Sequence, residues 1–189
     1  MSTYQIGVIV GSLRRDSFNQ KLATAIVKLA PAEFSFNQIQ IRDLPLYNQD
    51  DDENQAASVI RMKTEISKAD GLLFVTPEYN RSIPGVLKNA LDHGSRPHDQ
   101  NVWTGKPAGI LGVSIGSAGT SMAQQHLRNV LSFLDVAVLR QPEAYIQHRD
   151  GLFAEDGTIG ERSRPFMQNW MDHYVAWVKQ NSSCSDEHF

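Results

Sequence analysis

Apolar runs alternate with helically spaced apolar positions along the whole chain of 189 residues. A short β-branched run at 6–10 stops at Gly11, as a buried strand entering a turn does. Leu22 and Ala23 then begin a helical spacing that ends at Pro31. The same alternation predicts four further strands, each followed by a helix, at 34–41, 71–76, 107–115 and 136–139. The apolar stripes of those four helices begin at Val59, Val86, Leu127 and Phe166.

Five strands that alternate with five helices predict a parallel sheet covered by helices on both faces. We expect one α/β domain over residues 1–189, built as a three-layer sandwich around a five-stranded parallel sheet, with a flexible tail at about 181–189. The segment 71–76 is apolar on both faces, which is typical of a central strand. Ligands of such sheets bind beyond the carboxyl ends of the strands, where the strand order reverses. The loops after the first, third and fourth strands are therefore the candidate site.

Composition and charge exclude several classes of function. Hydrophobic residues make up 41% and charged residues 21% of the chain, and the net charge of −3 argues against nucleic acid as a partner. Cys184 is the only cysteine, so no disulfide within the chain and no cluster of thiolate ligands can form. No apolar stretch reaches membrane-spanning length, and we expect a cytoplasmic protein. The histidines lack metal-ligand spacing, and the consecutive acids at 50–53 cannot easily converge on one ion, so we expect no metal and a solvated start of the helix near Val59.

The loop after the first strand is rich in hydroxyl and cationic side chains, and it leads into a helix. Ser12, Ser17 and Asn19 can donate hydrogen bonds to phosphate oxygens, and Arg14 can add a forked contact. The unsatisfied N–H groups of a helix start favour an anion at the same place. Neither G-x-G-x-x-G nor G-x-x-x-x-G-K-[ST] is present, so we expect a terminal monophosphate rather than a dinucleotide. The alternative, that Ser17 only caps the helix, leaves the other polar residues unexplained.

The loop after the third strand carries Pro77 and Pro84, which stiffen it and prevent a helix or an ordinary ladder. Its main-chain groups can hydrogen-bond the edge of a planar heterocycle, with Tyr79 or Ile83 near the ring. The alternative is a proline-bounded turn with Tyr79 packed in the core. The loop follows a central strand at the same sheet edge as the first loop, which favours the ligand site.

These two loops resemble those of the NAD(P)H-dependent FMN reductase family, and within it the bacterial quinone and chromate reductases. The matching residues are Gly11-Ser12-Leu13-Arg14 with Ser17 and Asn19, then Pro77-Glu78-Tyr79-Asn80, and the run at 84–92. The similarity extends over about 5–179. It implies a flavodoxin-like fold, non-covalent FMN, and NADH or NADPH as electron donor. It also implies ping-pong two-electron reduction of quinones, azo dyes, free flavin or chromate, and a homodimer or homotetramer.

By motif position, the resemblance implies that Ser12, Arg14, Ser17 and Asn19 bind the phosphate. It implies that Pro77, Glu78, Tyr79 and Asn80 lie along the isoalloxazine ring, and Phe18 is predicted to belong to the same cofactor site. Three positions depart from the family pattern. Arg81 stands where an aromatic residue is frequent, His93 where tryptophan is common, and Met122 where relatives often carry arginine. These departures concern the acceptor and the assembly more than the cofactor.

The loop after the fourth strand adds Ser114, which can donate to the flavin or its ribityl chain, and Gly116, which lets main chain approach a ligand. The alternative for this loop is a glycine-rich turn for close helix–strand packing. Residues 112–116 also fit the G-x-S-x-G pattern of serine hydrolases, although the sequence offers no persuasive triad partner for Ser114. We expect no catalytic side chain, because the cofactor carries the chemistry. A further alternative is a flavodoxin-like electron carrier, but such carriers tend to be strongly acidic and −3 is a mild charge.

Overall fold

The computed structural model describes residues 3–182, so residues 183–189 of the predicted tail, with Cys184, lie outside the described residues. The strands within 3–182 are β1 (Tyr4–Val10), β2 (Phe34–Gln38), β3 (Gly71–Val75), β4 (Pro107–Ser114), β5 (Ala137–Val138) and β6 (Tyr145–Gln147). The α-helices are α1 (Phe18–Ile26), α2 (Ala57–Lys68), α3 (Gly85–Gly94), α4 (Ser121–Phe133) and α5 (Arg164–Asn181).

The strands form one parallel sheet in the order β2-β1-β3-β4-β5, and β6 is added beside β4. The chain moves outward from β1 to β2 and then returns across β1 to β3, so the strand order reverses between β1 and β3. Val10 at the end of β1 pairs in register with Val75 at the end of β3. This order is that of the flavodoxin-like fold, and the predicted fold class is confirmed.

The sheet differs from the prediction at the outer side of β4. β5 is shorter than the predicted strand at 136–139, and it pairs only with the beginning of β4. β6 pairs with the end of β4, where Ser114 lies opposite Gln147. The sheet therefore has six strands rather than the predicted five. The sequence pattern did not show β6 because only its middle residue, Ile146, is buried.

Each face of the sheet has its own hydrophobic core, which completes the three layers. α1 and α5 cover one face, where the rings of Trp170 and Tyr174 stack 5.5 Å apart. α2, α3 and α4 cover the other face, around Phe74 and Trp103. Phe166, predicted to be on the buried stripe of α5, is instead 45% exposed.

The acidic run at 50–53 does not begin α2. It forms part of a separate 3-10 helix, Gln49–Asn54, and the first turn of α2 contains no acidic residue. Among residues 3–182, no three histidine, cysteine or acidic side chains are grouped as they must be to hold a metal ion. None of the helices in this range combines the length and the apolarity that crossing a membrane requires.

Candidate functional site

Three loops meet at the carboxyl edge of the sheet: residues 11–17 after β1 (the β1 loop), residues 76–84 after β3 (the β3 loop) and residues 115–120 after β4 (the β4 loop). The Gly11 N–H donates to Val75 O at 2.9 Å, and the Thr76 N–H donates to Leu111 O at 3.1 Å. A methyl group on Gly11 would lie 2.9 Å from Thr76 Oγ1, so the first two loops pack with little room for a side chain at this glycine. The topology thus brings the predicted site residues to one edge.

The β1 loop leads into the start of α1, where main-chain amides lack acceptors in the described part of the chain. Ser17 is the N-cap, and its Oγ accepts a hydrogen bond from the Gln20 N–H at 3.3 Å. The amides of Phe18 and Asn19 have no acceptor among residues 3–182, and the first turn contains no acidic side chain. Free amides and the helix dipole favour an anion at this place. The capping alternative for Ser17 is therefore correct for its hydroxyl, and phosphate binding at this helix start stays a prediction.

Two cations lie near this helix start. The guanidinium of the exposed Arg14 lies 5.8 Å from the centroid of the Phe18 ring, and Lys21 Nζ lies 5.9 Å from it. Ser12 is half-buried, and its Oγ accepts the Arg14 N–H at 3.4 Å. A phosphate at the start of α1 therefore has hydroxyl, guanidinium and main-chain donors within one short segment.

Asn19 plays a part that sequence reasoning missed. Its Nδ2 donates to Val113 O and its Oδ1 accepts from the Val113 N–H, both at 2.9 Å and both buried. β3 ends at Val75, so the amide of Asn19 takes the place that a neighbouring peptide would occupy beside the end of β4. The residue thereby fixes α1 to β4. Its predicted contact with phosphate depends on its main-chain amide and its second Nδ2–H, and stays a prediction.

The β3 loop folds back in a tight turn that exposes its main chain. Tyr79 and Ser82 exchange two main-chain hydrogen bonds of 3.0 Å, and Asn80 and Arg81 between them have φ of 52° and 62°. The Tyr79 side chain is 50% exposed, so its alternative placement in the core is wrong. The amides of Glu78 and Asn80 have no acceptor among the described residues. This loop can therefore present N–H groups to the edge of a planar ring.

Pro77 and Glu78 hold the beginning of this turn. Pro77 is buried, and its carbonyl accepts a hydrogen bond from Thr76 Oγ1 at 2.9 Å. Glu78 Oε2 accepts the Ala123 N–H of α4 at 3.0 Å. The side chain of Glu78 therefore contacts a helix, and its main-chain amide is the group left for a ligand.

The β4 loop does not have the geometry of a hydrolase nucleophile. Ser114 is half-buried, and its Oγ accepts the Gly116 N–H at 3.0 Å. No histidine ring within residues 3–182 hydrogen-bonds that oxygen, and Ser114 does not have the positive φ of a strained nucleophile turn. Gly116 is exposed, and a methyl group there would lie 3.4 Å from Ser114 Oγ, whereas Gly119, at φ 60°, packs against the main chain of Tyr145. The packing alternative is thus correct for Gly119, and Gly116 stays a candidate for ligand contact.

Two residues at the edge of the site had no signal in the sequence. The His148 ring stacks on Phe18 with centroids 3.8 Å apart, and the main-chain N–H of His148 donates to Ser114 O at 2.7 Å. His148 follows β6 directly, so the missed strand explains the missed residue. Arg42 donates to Leu13 O at 3.0 Å and lines, with the arginines of the β1 loop, a cavity of about 240 Å³.

The three departures from the family pattern have different environments. Arg81 is exposed at the tip of the β3 turn. His93 is buried, and its Nε2 lies 2.9 Å from Pro45 O, so this nitrogen carries the hydrogen because a carbonyl can only accept. Met122 is half-buried in the first turn of α4. Of the three, Arg81 is the exposed one.

Beyond the β1 loop, the charged side chains of the three loops are Glu78 and Arg81 of the β3 loop. At the beginning of β6, burial and then a hydrogen bond to Glu143 raise the pKa of the Tyr145 phenol. The residues present fit FMN, because the helix start of α1 supplies donors for one phosphate and the β3 turn supplies amides without protein partners. Both observations concern main-chain groups, which hold a ligand without any change in side-chain ionisation.

Comparison with known proteins agrees with this geometry. The family model described as NADPH-dependent FMN reductase matches residues 4–151. A 2-hydroxy-1,4-benzoquinone reductase from a Burkholderia species is 53% identical over 176 residues, 93% of this chain and 96% of that protein. A quinone reductase of Pseudomonas putida is 45% identical over 179 residues, 94% of this chain and 96% of that protein. The solved structure of FerB, a flavoenzyme NAD(P)H:(acceptor) oxidoreductase from Paracoccus denitrificans, matches with a TM-score of 0.91 at 41% identity, covering 95% of this chain and 100% of that one.

The resemblance expected from the two loop motifs is therefore confirmed, and so is an oxidoreductase that uses FMN and a nicotinamide donor. Nothing in these similarities or in the geometry of Ser114 supports a serine hydrolase. The chain belongs to the NADPH-dependent FMN reductase family.

Proposed function

We propose that the protein oxidises NADH or NADPH and reduces quinones through FMN held at the carboxyl edge of the sheet. The observation that carries this proposal is the juxtaposition of an anion-favouring helix start with a turn whose amides have no protein acceptor. Quinones are the favoured acceptors because the Burkholderia and Pseudomonas putida relatives are named for them. Free flavin, azo dyes and chromate are further acceptors to be tested.

The residues of the chain bind and orient in this proposal, and none acts as an acid or base. Ser12, Arg14 and Ser17, with the amides of Phe18 and Asn19, hold the phosphate. The amides of the β3 turn stabilise negative charge on the ring edge. Bound FMN supplies the hydride chemistry between donor and acceptor.

The neighbouring side chains leave the site open. Tyr79 is 50% exposed and Ile115 is 75% exposed, so the donor and the acceptor can enter from the same side in turn. Ser114 and Gly116 border this opening from the β4 loop. We therefore expect ping-pong kinetics.

The test begins with the cofactor. The purified protein is expected to be yellow and to release FMN, not FAD, on denaturation, as chromatography will show. Anaerobic addition of NADH and NADPH, each in turn, followed by a panel of quinones, flavin, azo dye and chromate, then measures turnover. A colourless protein that does not take up added FMN contradicts the proposal. FMN-loaded protein that needs another protein to be oxidised or reduced instead favours the electron carrier.

We further propose a homodimer or homotetramer with residues 81–99 at or near its interface. Leu87, Ala90 and Leu91 are buried in the core of the chain, so the apolar stripe of α3 does not supply the contact. The exposed Leu46, 86% accessible in the segment that packs on α3 through Asn89, is the apolar group available there. Light scattering at micromolar concentration tests the assembly, and a monomer contradicts it. We also propose a cytoplasmic location, which cell fractionation tests.

A further inference from the structure

The turn of the β3 loop is attached to α4 at both of its ends. On one side, Glu78 Oε2 accepts the Ala123 N–H at 3.0 Å. On the other, Ser82 Oγ lies 3.0 Å from His126 Nδ1. Ala123 and His126 lie three positions apart in α4, so one turn of that helix holds the loop twice. The two contacts join residues that are 45 and 44 positions apart along the chain.

The first contact replaces a cap that α4 lacks. Thr120 occupies the N-cap position without a side-chain bond to the helix backbone, and its Oγ1 instead accepts a hydrogen bond from Gln124 Nε2 at 2.9 Å. The first turn of α4 contains no acidic residue. A carboxylate that accepts an N–H at a helix start is favoured by hydrogen bonding and by the helix dipole. Glu78 therefore caps α4 from a different loop.

The main chain between the two contacts is one that needs support. Asn80 and Arg81 both have positive φ, which L-residues adopt at a cost when neighbours hold them there. Two main-chain hydrogen bonds between Tyr79 and Ser82 close the turn, but they do not fix it against the rest of the protein. The contact of Glu78 with α4 does, and it lies next to the amides that have no protein acceptor.

We infer that Glu78 is a positioning residue: its carboxylate, bound to the start of α4, holds the β3 turn in the conformation whose amides bind the flavin ring. This inference rests on the proposed function. Ser82 Oγ and His126 Nδ1 form a second contact, which involves no carboxylate and is weaker than the bond from the Ala123 N–H to Glu78. The contact that caps α4 is therefore also the contact that fixes the conformation of the β3 turn.

Limited proteolysis of the FMN-free protein tests the conformation of the turn directly. Trypsin cleaves after Arg81, which is exposed at the tip of the turn. Glu78→Ala is expected to raise the rate of cleavage there about tenfold, since a charge-assisted hydrogen bond is lost. Glu78→Gln keeps one acceptor and is expected to fall between Ala and the parent. Glu155→Ala removes an exposed carboxylate without a hydrogen bond among the described residues, and it is expected to match the parent.

Ligand affinity is the second readout. Glu78→Ala is expected to weaken FMN and riboflavin by the same factor, about tenfold, because the lost contacts concern the ring and not the phosphate. Ser82→Ala is expected to weaken both by about threefold or less. Thermal unfolding of the FMN-free variants measures how much the contact of Glu78 with α4 contributes to stability in the absence of the ligand.

The outcomes separate the inference from the proposed function. A parent that binds FMN, with Glu78→Ala unchanged in cleavage at Arg81 and in affinity, overturns the inference and leaves the function standing. A Glu78→Ala protein that loses thermal stability but keeps parental FMN and riboflavin affinity shows a helix cap only, and also overturns it. A parent that binds no FMN overturns both.

Discussion

Asn19 offers a test of how the site is fixed to the sheet. Its amide makes two buried hydrogen bonds of 2.9 Å with the main chain of Val113, and no other partner of those Val113 groups exists among residues 3–182. Asn19→Ala leaves one N–H and one carbonyl unsatisfied in the core. Each such group costs about 1–3 kcal/mol, so we expect a loss of about 2–6 kcal/mol in the free energy of unfolding.

A substitution of Asn19 by an ionisable residue adds a test through the pH dependence of stability. In Asn19→Asp, the carboxylate can still accept the Val113 N–H but it faces the Val113 carbonyl, and burial raises the pKa of the new carboxyl in the folded state. A raised folded pKa means that stability is present at low pH and is lost as the pH rises through that pKa. The deficit of Asn19→Asp relative to the parent should therefore shrink between pH 7 and pH 5, whereas that of Asn19→Ala should not.

Urea unfolding of the FMN-free protein, followed by circular dichroism, measures both effects. Asn54→Ala is the matched control, because its amide is exposed and has no hydrogen bond among the described residues; it should stay within about 0.5 kcal/mol of the parent. Asn19→Ala within that same limit, or an Asn19→Asp deficit that grows on acidification, would refute the argument.

Three further predictions concern the loops. Arg14→Ala should weaken FMN by about 1.5–3 kcal/mol and leave riboflavin unchanged, since only the phosphate contact is lost; equal losses measured by fluorescence titration would assign Arg14 to the fold. Ser114→Ala should keep quinone reduction within about tenfold, because one neutral hydrogen bond is removed, and a loss of several orders of magnitude in steady-state rate would contradict this. Gly119→Ala places a methyl group 2.7 Å from the Tyr145 carbonyl carbon at φ 60°, whereas Gly105→Ala at φ 73° meets open space. Gly119→Ala should therefore destabilise the protein by at least about 2 kcal/mol more than Gly105→Ala in thermal or urea unfolding.

Sequence patterns predict best those strands whose burial on both faces requires a continuous run of apolar residues. The segments that became β1, β3 and β4 are continuous apolar runs because both faces of a central parallel strand are buried. β6 has three residues with one buried, and so short a run carries no period to detect. Its position is set by pairing with the end of β4 and not by its own pattern.

The candidate site likewise contains features that the sequence predicts and contacts that it does not. The hydroxyl and cationic residues of the β1 loop are close in sequence, so their convergence could be predicted. The contacts of Asn19 with Val113 and of Glu78 with Ala123 join residues that are 94 and 45 positions apart. Nothing in the spacing of residues shows such pairs, because they depend on the strand order. Sequence therefore predicts which loops meet, and the structure shows what holds them.

Two short strands, β5 and β6, pair with different parts of β4, and this affects how copies of the protein can associate. A long, regular strand at the border of a sheet offers unpaired main-chain groups to another chain. Here that border consists of two short pieces, β5 and β6, with Pro142 between them. At the opposite border, Gln38 of β2 exchanges side-chain hydrogen bonds with Gln20, which places polar amides beside the strand. These features disfavour a sheet that continues from one molecule into the next, so we expect the proposed assembly to use helices and loops.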